Sequence, residues 1–161
     1  MAMAPQPSPI ADRELVLTRI LAAPRAALYR CWTEPELLKQ WFCPPPWRVS
    51  DAVLDVRPGG ANLITMRGPN GEVAPNAGVY LDVIPNEKVV FTDAFTADWQ
   101  PSGKPFMVAT ITFQDHDSGG TLYTATARHW SAEDCKAHAD MGFHTGWGIA
   151  ADQLEALAKT L

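Results

Sequence analysis

The sequence predicts an α+β fold in which a curved antiparallel sheet of about six or seven strands wraps around one long C-terminal helix. Three observations carry this expectation. Turn signals recur at 57–60 (RPGG), 68–71 (GPNG), 84–88 (IPNEK), 100–105 (QPSGKP) and 115–120 (DHDSGG), each separating two apolar runs. The runs between them, such as NLITM, VYLDVI, KVVFTDAF, MVATITF and TLYTATARHW, are rich in β-branched and aromatic residues and about as long as single strands. Short consecutive connections between them imply an antiparallel meander. At the end of the chain, Phe143, Trp147, Ala150, Leu154, Leu157 and Leu161 recur at intervals of four and three, one face of a helix. Asp152, Glu155 and Lys159 fall opposite, so the apolar stripe needs a covering surface, and the sheet is the only large one available.

Taken in order, ELVLTRIL (14–21) has the composition of a strand with one buried face. Pro24 then sits where a first-turn proline belongs, and Leu28 and Trp32 share one side of a short helix. Thr33 is placed to cap a second short helix containing Pro35, Glu36, Leu37, Leu38, Trp41 and Phe42, which CPPP (43–46) ends. Asn70-Gly71 marks the strongest hairpin turn of the meander, because both residues tolerate positive φ. The last helix carries Gly142, Gly146 and Gly148 around Trp147, which should together oppose helix by about 3 kcal/mol. Their retention there points to close approach of backbone and sheet, or to volume left open.

A length of 161 residues suits one domain, taken as 13–161 after a proline-containing leader at 1–12. The leader lacks the basic and apolar regions of a signal peptide, and no apolar run reaches the roughly 18 residues of a membrane span. A soluble, cytoplasmic protein is expected. A net charge of -5 with no cluster of Lys or Arg argues against nucleic acid and anionic membrane surfaces as partners. Cys31, Cys43 and Cys135 form no CxxC pair and read as reduced thiols.

Three constellations are candidates for chemistry. Cys135, His138, Asp140 and His144 lie within ten residues, but on a helix Cys135 and His138 share a side while His144 points away, so no metal and no other cofactor is expected. These residues read instead as exposed polar groups leading into the last helix. His129, Arg128, Tyr123, Asp55, Arg57, Asp93 and Tyr80 lie on strands, where alternation puts His129 and Tyr123 on one face and Arg128 on the other. With no nucleophile elbow, phosphate loop or zincin helix, they read as solvent-facing or salt-bridged, and no catalytic residue is assigned. The third set is aromatic: Trp32, Trp41, Phe42, Trp47, Phe95, Trp99, Phe106, Phe143 and Trp147. These side chains either fill the core or line a ligand cavity, with their segments meeting at one end of the molecule.

The stretches TRILAAPRAALYRCWTEPELLKQWF, LDVRPGGANLITMRGPNGEV, GVYLDVIPNEKVVFT, GTLYTATA and GWGIAADQLEAL resemble the Hsp90-ATPase-activator-homologue group of the START-like, helix-grip superfamily over about Arg13 to Leu161. The resemblance implies a helix-grip fold with an elongated, largely apolar cavity between sheet and long helix. It brings an Hsp90-type chaperone into view as partner. The founding co-chaperone, however, binds it through a separate amino-terminal domain, in place of which this chain has only its leader. The loop CPPPWRV replaces a shorter glycine-containing one and should reshape the cavity mouth. A protein binding a small apolar or amphipathic molecule is therefore expected, with a homodimer admissible. The alternatives are a co-chaperone-like stress-response interaction protein and an enzyme acting on an enclosed apolar substrate.

Overall fold

The computed structural model describes residues 10–161. After a 3-10 turn at Ile10–Arg13 come β1 (Glu14–Leu21), α1 (Arg25–Thr33), α2 (Pro35–Leu38), β2 (Arg48–Leu54), β3 (Ala61–Arg67), β4 (Val73–Ile84) and β5 (Lys88–Thr92). They are followed by β6 (Phe95–Thr96), β7 (Gln100–Pro101), β8 (Met107–Asp115), β9 (Thr121–His129), α3 (Ala132–Asp140) and α4 (Phe143–Ala158). Most of the leader, 1–9, lies outside the described residues, and the 3-10 turn that completes it packs against α3.

Seven strands form one antiparallel sheet in the order β1-β9-β8-β5-β4-β3-β2, while β6 and β7 pair as a separate two-stranded ribbon. The meander is the expected one, and it is closed by pairing the first strand with the last, Glu14 opposite Arg128 and Leu21 opposite Thr121. Alternation decides which side chains face inward. On β9, Thr121, Tyr123, Ala125, Ala127 and His129 are buried, and on β8, Ala109, Ile111 and Phe113 are. Arg128 points out and pairs with Glu14 at 2.7 Å. The inward alanines of β8 and β9 give a shallow surface, and α4 presents Ala150, Ala151, Leu154 and Ala158 to the same core cluster. Small residues on both sides let helix and sheet pack closely.

Two local expectations are corrected. Thr33 does not cap α2: its Oγ1 donates to the Tyr29 carbonyl at 2.8 Å, ending α1, and Glu34 takes the cap position without a side-chain bond. A threonine hydroxyl near a helix C-terminus can bond the second lone pair of the carbonyl one turn back, and that bond competes with capping. Secondly, the segment before the long helix is itself a helix, α3, with Cys135 and His138 buried. Ser131 caps it by accepting from the Asp134 N–H at 3.1 Å, and Glu133 and Asp134 complement the positive helix start. Gly142 separates α3 from α4 with φ of 96°, a left-handed turn that glycine adopts without strain.

Candidate functional site

A cavity of about 430 Å³ opens between the sheet, the α1–α2 corner and the start of α4. Its wall is built in three parts. The α1–α2 corner supplies Trp32, Trp41 and Phe42, whose rings meet edge to face, Trp32 and Trp41 with centroids 4.9 Å apart and Trp32 and Phe42 6.0 Å apart. The Trp41 indole N–H donates to the Cys31 carbonyl at 2.9 Å, which locks this corner. The sheet supplies Ile64, Met66, Phe91 and Met107 as apolar floor, with Asn62, Thr92, Asp93 and Tyr123 among the polar groups. The α3–α4 junction supplies His138, Met141, Phe143 and Trp147, the last two with ring centroids 4.6 Å apart.

Of the two roles expected of the glycines around Trp147, one is met. Gly146 lines the cavity, and a side chain added there would meet no atom within 4 Å. Gly148 faces β1 instead, where an added Cβ would lie 2.7 Å from the Arg19 guanidinium. The first position leaves volume open; at the second an added side chain would meet only the end of the flexible Arg19 side chain, so close approach of backbone and sheet is not what keeps this glycine.

Of the nine aromatic residues singled out, Trp32, Trp41, Phe42, Phe143 and Trp147 stand on the cavity wall. Trp47, Phe95, Trp99 and Phe106 do not. Trp47 lies against Gly68 at the β3–β4 turn. Phe95 and Trp99 pair with each other on the β6–β7 ribbon, with Trp99 covering Gly59 and nearly half exposed. Phe106 packs behind the wall, 5.2 Å from His129 and 5.3 Å from His138 between ring centroids. The ribbon seats its aromatics against the β2–β3 turn and β4 and not on the cavity wall, so nearness in sequence to the cavity strands did not bring them to it.

The polar residues also differ from the sequence reading. Asp55 and Arg57 do form an exposed ion pair at 2.9 Å. Tyr80, Tyr123 and His129, however, are buried. Burial raises the pKa of the Tyr123 hydroxyl far above its usual value, with the Trp32 indole only partly offsetting this. The Asp93 carboxylate accepts from the Phe106 and Met107 amides at 2.8 and 3.2 Å, holding the start of β8.

His138 belongs to the wall although it read as an exposed lead-in residue. Its Nδ1 lies 2.8 Å from His129 Nε2, and His129 Nδ1 lies 2.9 Å from the Arg13 carbonyl. Burial, and secondarily the neighbouring His129, push the His138 pKa down to about 4, so the ring is neutral near pH 7. The signal that could have found it is the SAED capping box at 131–134, which starts a helix whose Cys135 and His138 share one side. Asn62 was missed as well, and a lone asparagine in a strand run carries no such signal.

A family profile described as Activator of Hsp90 ATPase homolog 1-like protein matches residues 22–159. No curated protein matches the chain. Among solved structures, the crystal structure of protein NE0264 from Nitrosomonas europaea superposes with a TM-score of 0.90 at 42% identity, covering 93% of this chain and 96% of that one. Protein Ms6760 from Mycobacterium smegmatis gives a TM-score of 0.77 at 29% identity over 92% of each chain. Protein CV1439 from Chromobacterium violaceum gives 0.73 at 25% identity, covering 89% of this chain and 96% of that one. The sheet grips the long helix as in these relatives, and the chain belongs to the Activator of Hsp90 ATPase homolog 1-like family.

Proposed function

We propose that the protein binds a small apolar or amphipathic molecule in the cavity between its sheet and α4. The observation that carries this reading is the space beside Gly146, bounded by Trp32, Trp41, Phe42, Phe143 and Trp147 and left open on the helix side. A fully packed core would place a side chain at that position, since interiors are dense and glycine costs a helix about 1 kcal/mol. Apolar walls of this kind contribute about 25 cal/mol for each Å² of ligand surface removed from water, and a few polar groups set orientation. The volume of about 430 Å³ suits a molecule of two or three rings or a medium alkyl chain.

Titration with the neutral fluorophore N-phenyl-1-naphthylamine tests the reading. The expected result is saturable binding with a change in tryptophan emission, abolished in Gly146→Leu. Absence of binding to the folded wild-type protein overturns it.

A further inference from the structure

The cavity's polar groups are few and they are not arranged for an anion. Among the described residues on its wall there is no Lys or Arg, and Asp93 is the one carboxylate. Buried polar side chains on the wall, the Trp32 indole with its N–H donor among them, keep hydrogen-bonding capacity that no described residue uses. Asn62 is 7% exposed and its side-chain amide bonds to none of them. His138 is 8% exposed and is engaged only through Nδ1.

The state of His138 follows from the chain of bonds behind it. A carbonyl oxygen only accepts, so the Arg13 carbonyl requires the proton of His129 on Nδ1. When each ring carries one proton, His129 Nε2 is bare and accepts from His138 Nδ1–H. His138 Nε2 is left unprotonated, as an acceptor, on a ring packed by Phe106, Phe143 and Trp147. His138 Nε2 is not sealed off, so a molecule that brings a donor replaces water there, a net gain of about 0.5–1.5 kcal/mol.

We propose that His138 sets the ligand class of this cavity: a neutral apolar molecule carrying a hydroxyl or N–H group, which donates to His138 Nε2. This inference rests on the cavity-binding reading above and adds the identity of the polar end. A carboxylate could accept from the Trp32 indole N–H, but it would face the His138 lone pair and the Asp93 carboxylate with no Lys or Arg on the wall to balance its charge.

Three matched probes test it: 4-phenylphenol, 4-methoxybiphenyl and biphenyl-4-carboxylate, titrated at pH 7 by tryptophan fluorescence and calorimetry. The expected order places the phenol roughly tenfold tighter than the ether, which is about 1.4 kcal/mol and the worth of one hydrogen bond, with the carboxylate weakest. In His138→Leu the phenol's advantage disappears while the ether still binds. Should that variant not fold, the wild-type comparison stands beside a second readout. Histidine ring ¹⁵N NMR of the ligand-free protein should show His138 protonated on Nδ1 and bare at Nε2. Equal binding of phenol and ether, a preference for the carboxylate, a phenol preference surviving in His138→Leu, or a proton on His138 Nε2 each overturns this inference alone. Failure of all three probes to bind overturns it together with the cavity reading.

Discussion

Gln153 of α4 holds the strand-ward end of the α1–α2 corner by its backbone: its Nε2 donates to the Trp41 carbonyl at 2.9 Å and to the Cys43 carbonyl at 3.1 Å. Trp41 is buried on the cavity wall and Cys43 follows it at the rim, so a single amide fixes the position of both relative to the long helix. Removing it in Gln153→Ala leaves two partly buried carbonyls without a donor. Stability should fall by about 1–2 kcal/mol in denaturant melts. Release of a bound neutral probe should also quicken in stopped flow, because the rim is no longer tied down. Unchanged stability together with unchanged release would show that the bond is dispensable.

Gly146 gives opposite expectations for two substitutions. Alanine meets open space and restricts the unfolded chain, so Gly146→Ala should stabilise by about 0.4–1 kcal/mol. Leucine there projects into the cavity and should preserve stability while blocking probe binding. Melts and titrations on the same two proteins check both expectations, and a large destabilisation by alanine would contradict the open space.

Tyr80 is buried, and among the described residues none bonds its hydroxyl. A hydroxyl in that position weakens the fold, and burial raises its pKa far above normal. Tyr80→Phe should therefore be neutral or stabilising by about 1 kcal/mol, since it removes an unmet bond and keeps the ring. A clear loss of stability in the melt would reveal a partner for the hydroxyl.

His138 makes stability depend on pH with a definite sign. Its folded pKa, about 4, lies below the ordinary value of 6.5, so between those limits the unfolded chain binds more protons. The contribution is fully present above pH 6.5 and is lost as pH falls toward 4, by an amount on the order of 2–3 kcal/mol. Carboxylates titrate in part of the same window. The measurement is therefore a difference: wild type should lose more stability than His138→Gln between pH 6.5 and 4, and parallel curves would refute the assignment.

Element order was legible in the chain because turns and periodicities are local. Asn70-Gly71 announces its hairpin, and the four-and-three spacing from Phe143 to Leu154 announces which side of α4 is buried. Strand alternation likewise puts His129 and Tyr123 on one face and Arg128 on the other, but it does not say which face is inward. The cavity was only half legible for the opposite reason. A tryptophan has the same composition signal whether it stands on the wall, as Trp32 does, or covers a turn glycine on a side ribbon, as Trp99 does. What separates them is the path of the chain between Asp93 and Met107, which leaves the main sheet and returns to it. His138 escaped because its role depends on His129, nine residues earlier on β9: the capping box at 131–134 starts its helix but does not say that the helix folds back to set the two rings together.

The pairing of β1 with β9 has a consequence for synthesis on the ribosome. Residues from Glu14 to Leu21 emerge early, yet their hydrogen-bonding partners are Thr121 to Arg128. At about 5–20 residues per second the nascent chain needs several seconds to supply them. Throughout that interval β1 is an unsatisfied edge carrying Val16 and Ile20, which remain partly exposed even in the finished fold. Completion of the sheet is thus a late event governed by contacts distant in sequence, and slowing translation near residue 120 would lengthen the period in which this strand is open to the wrong neighbour.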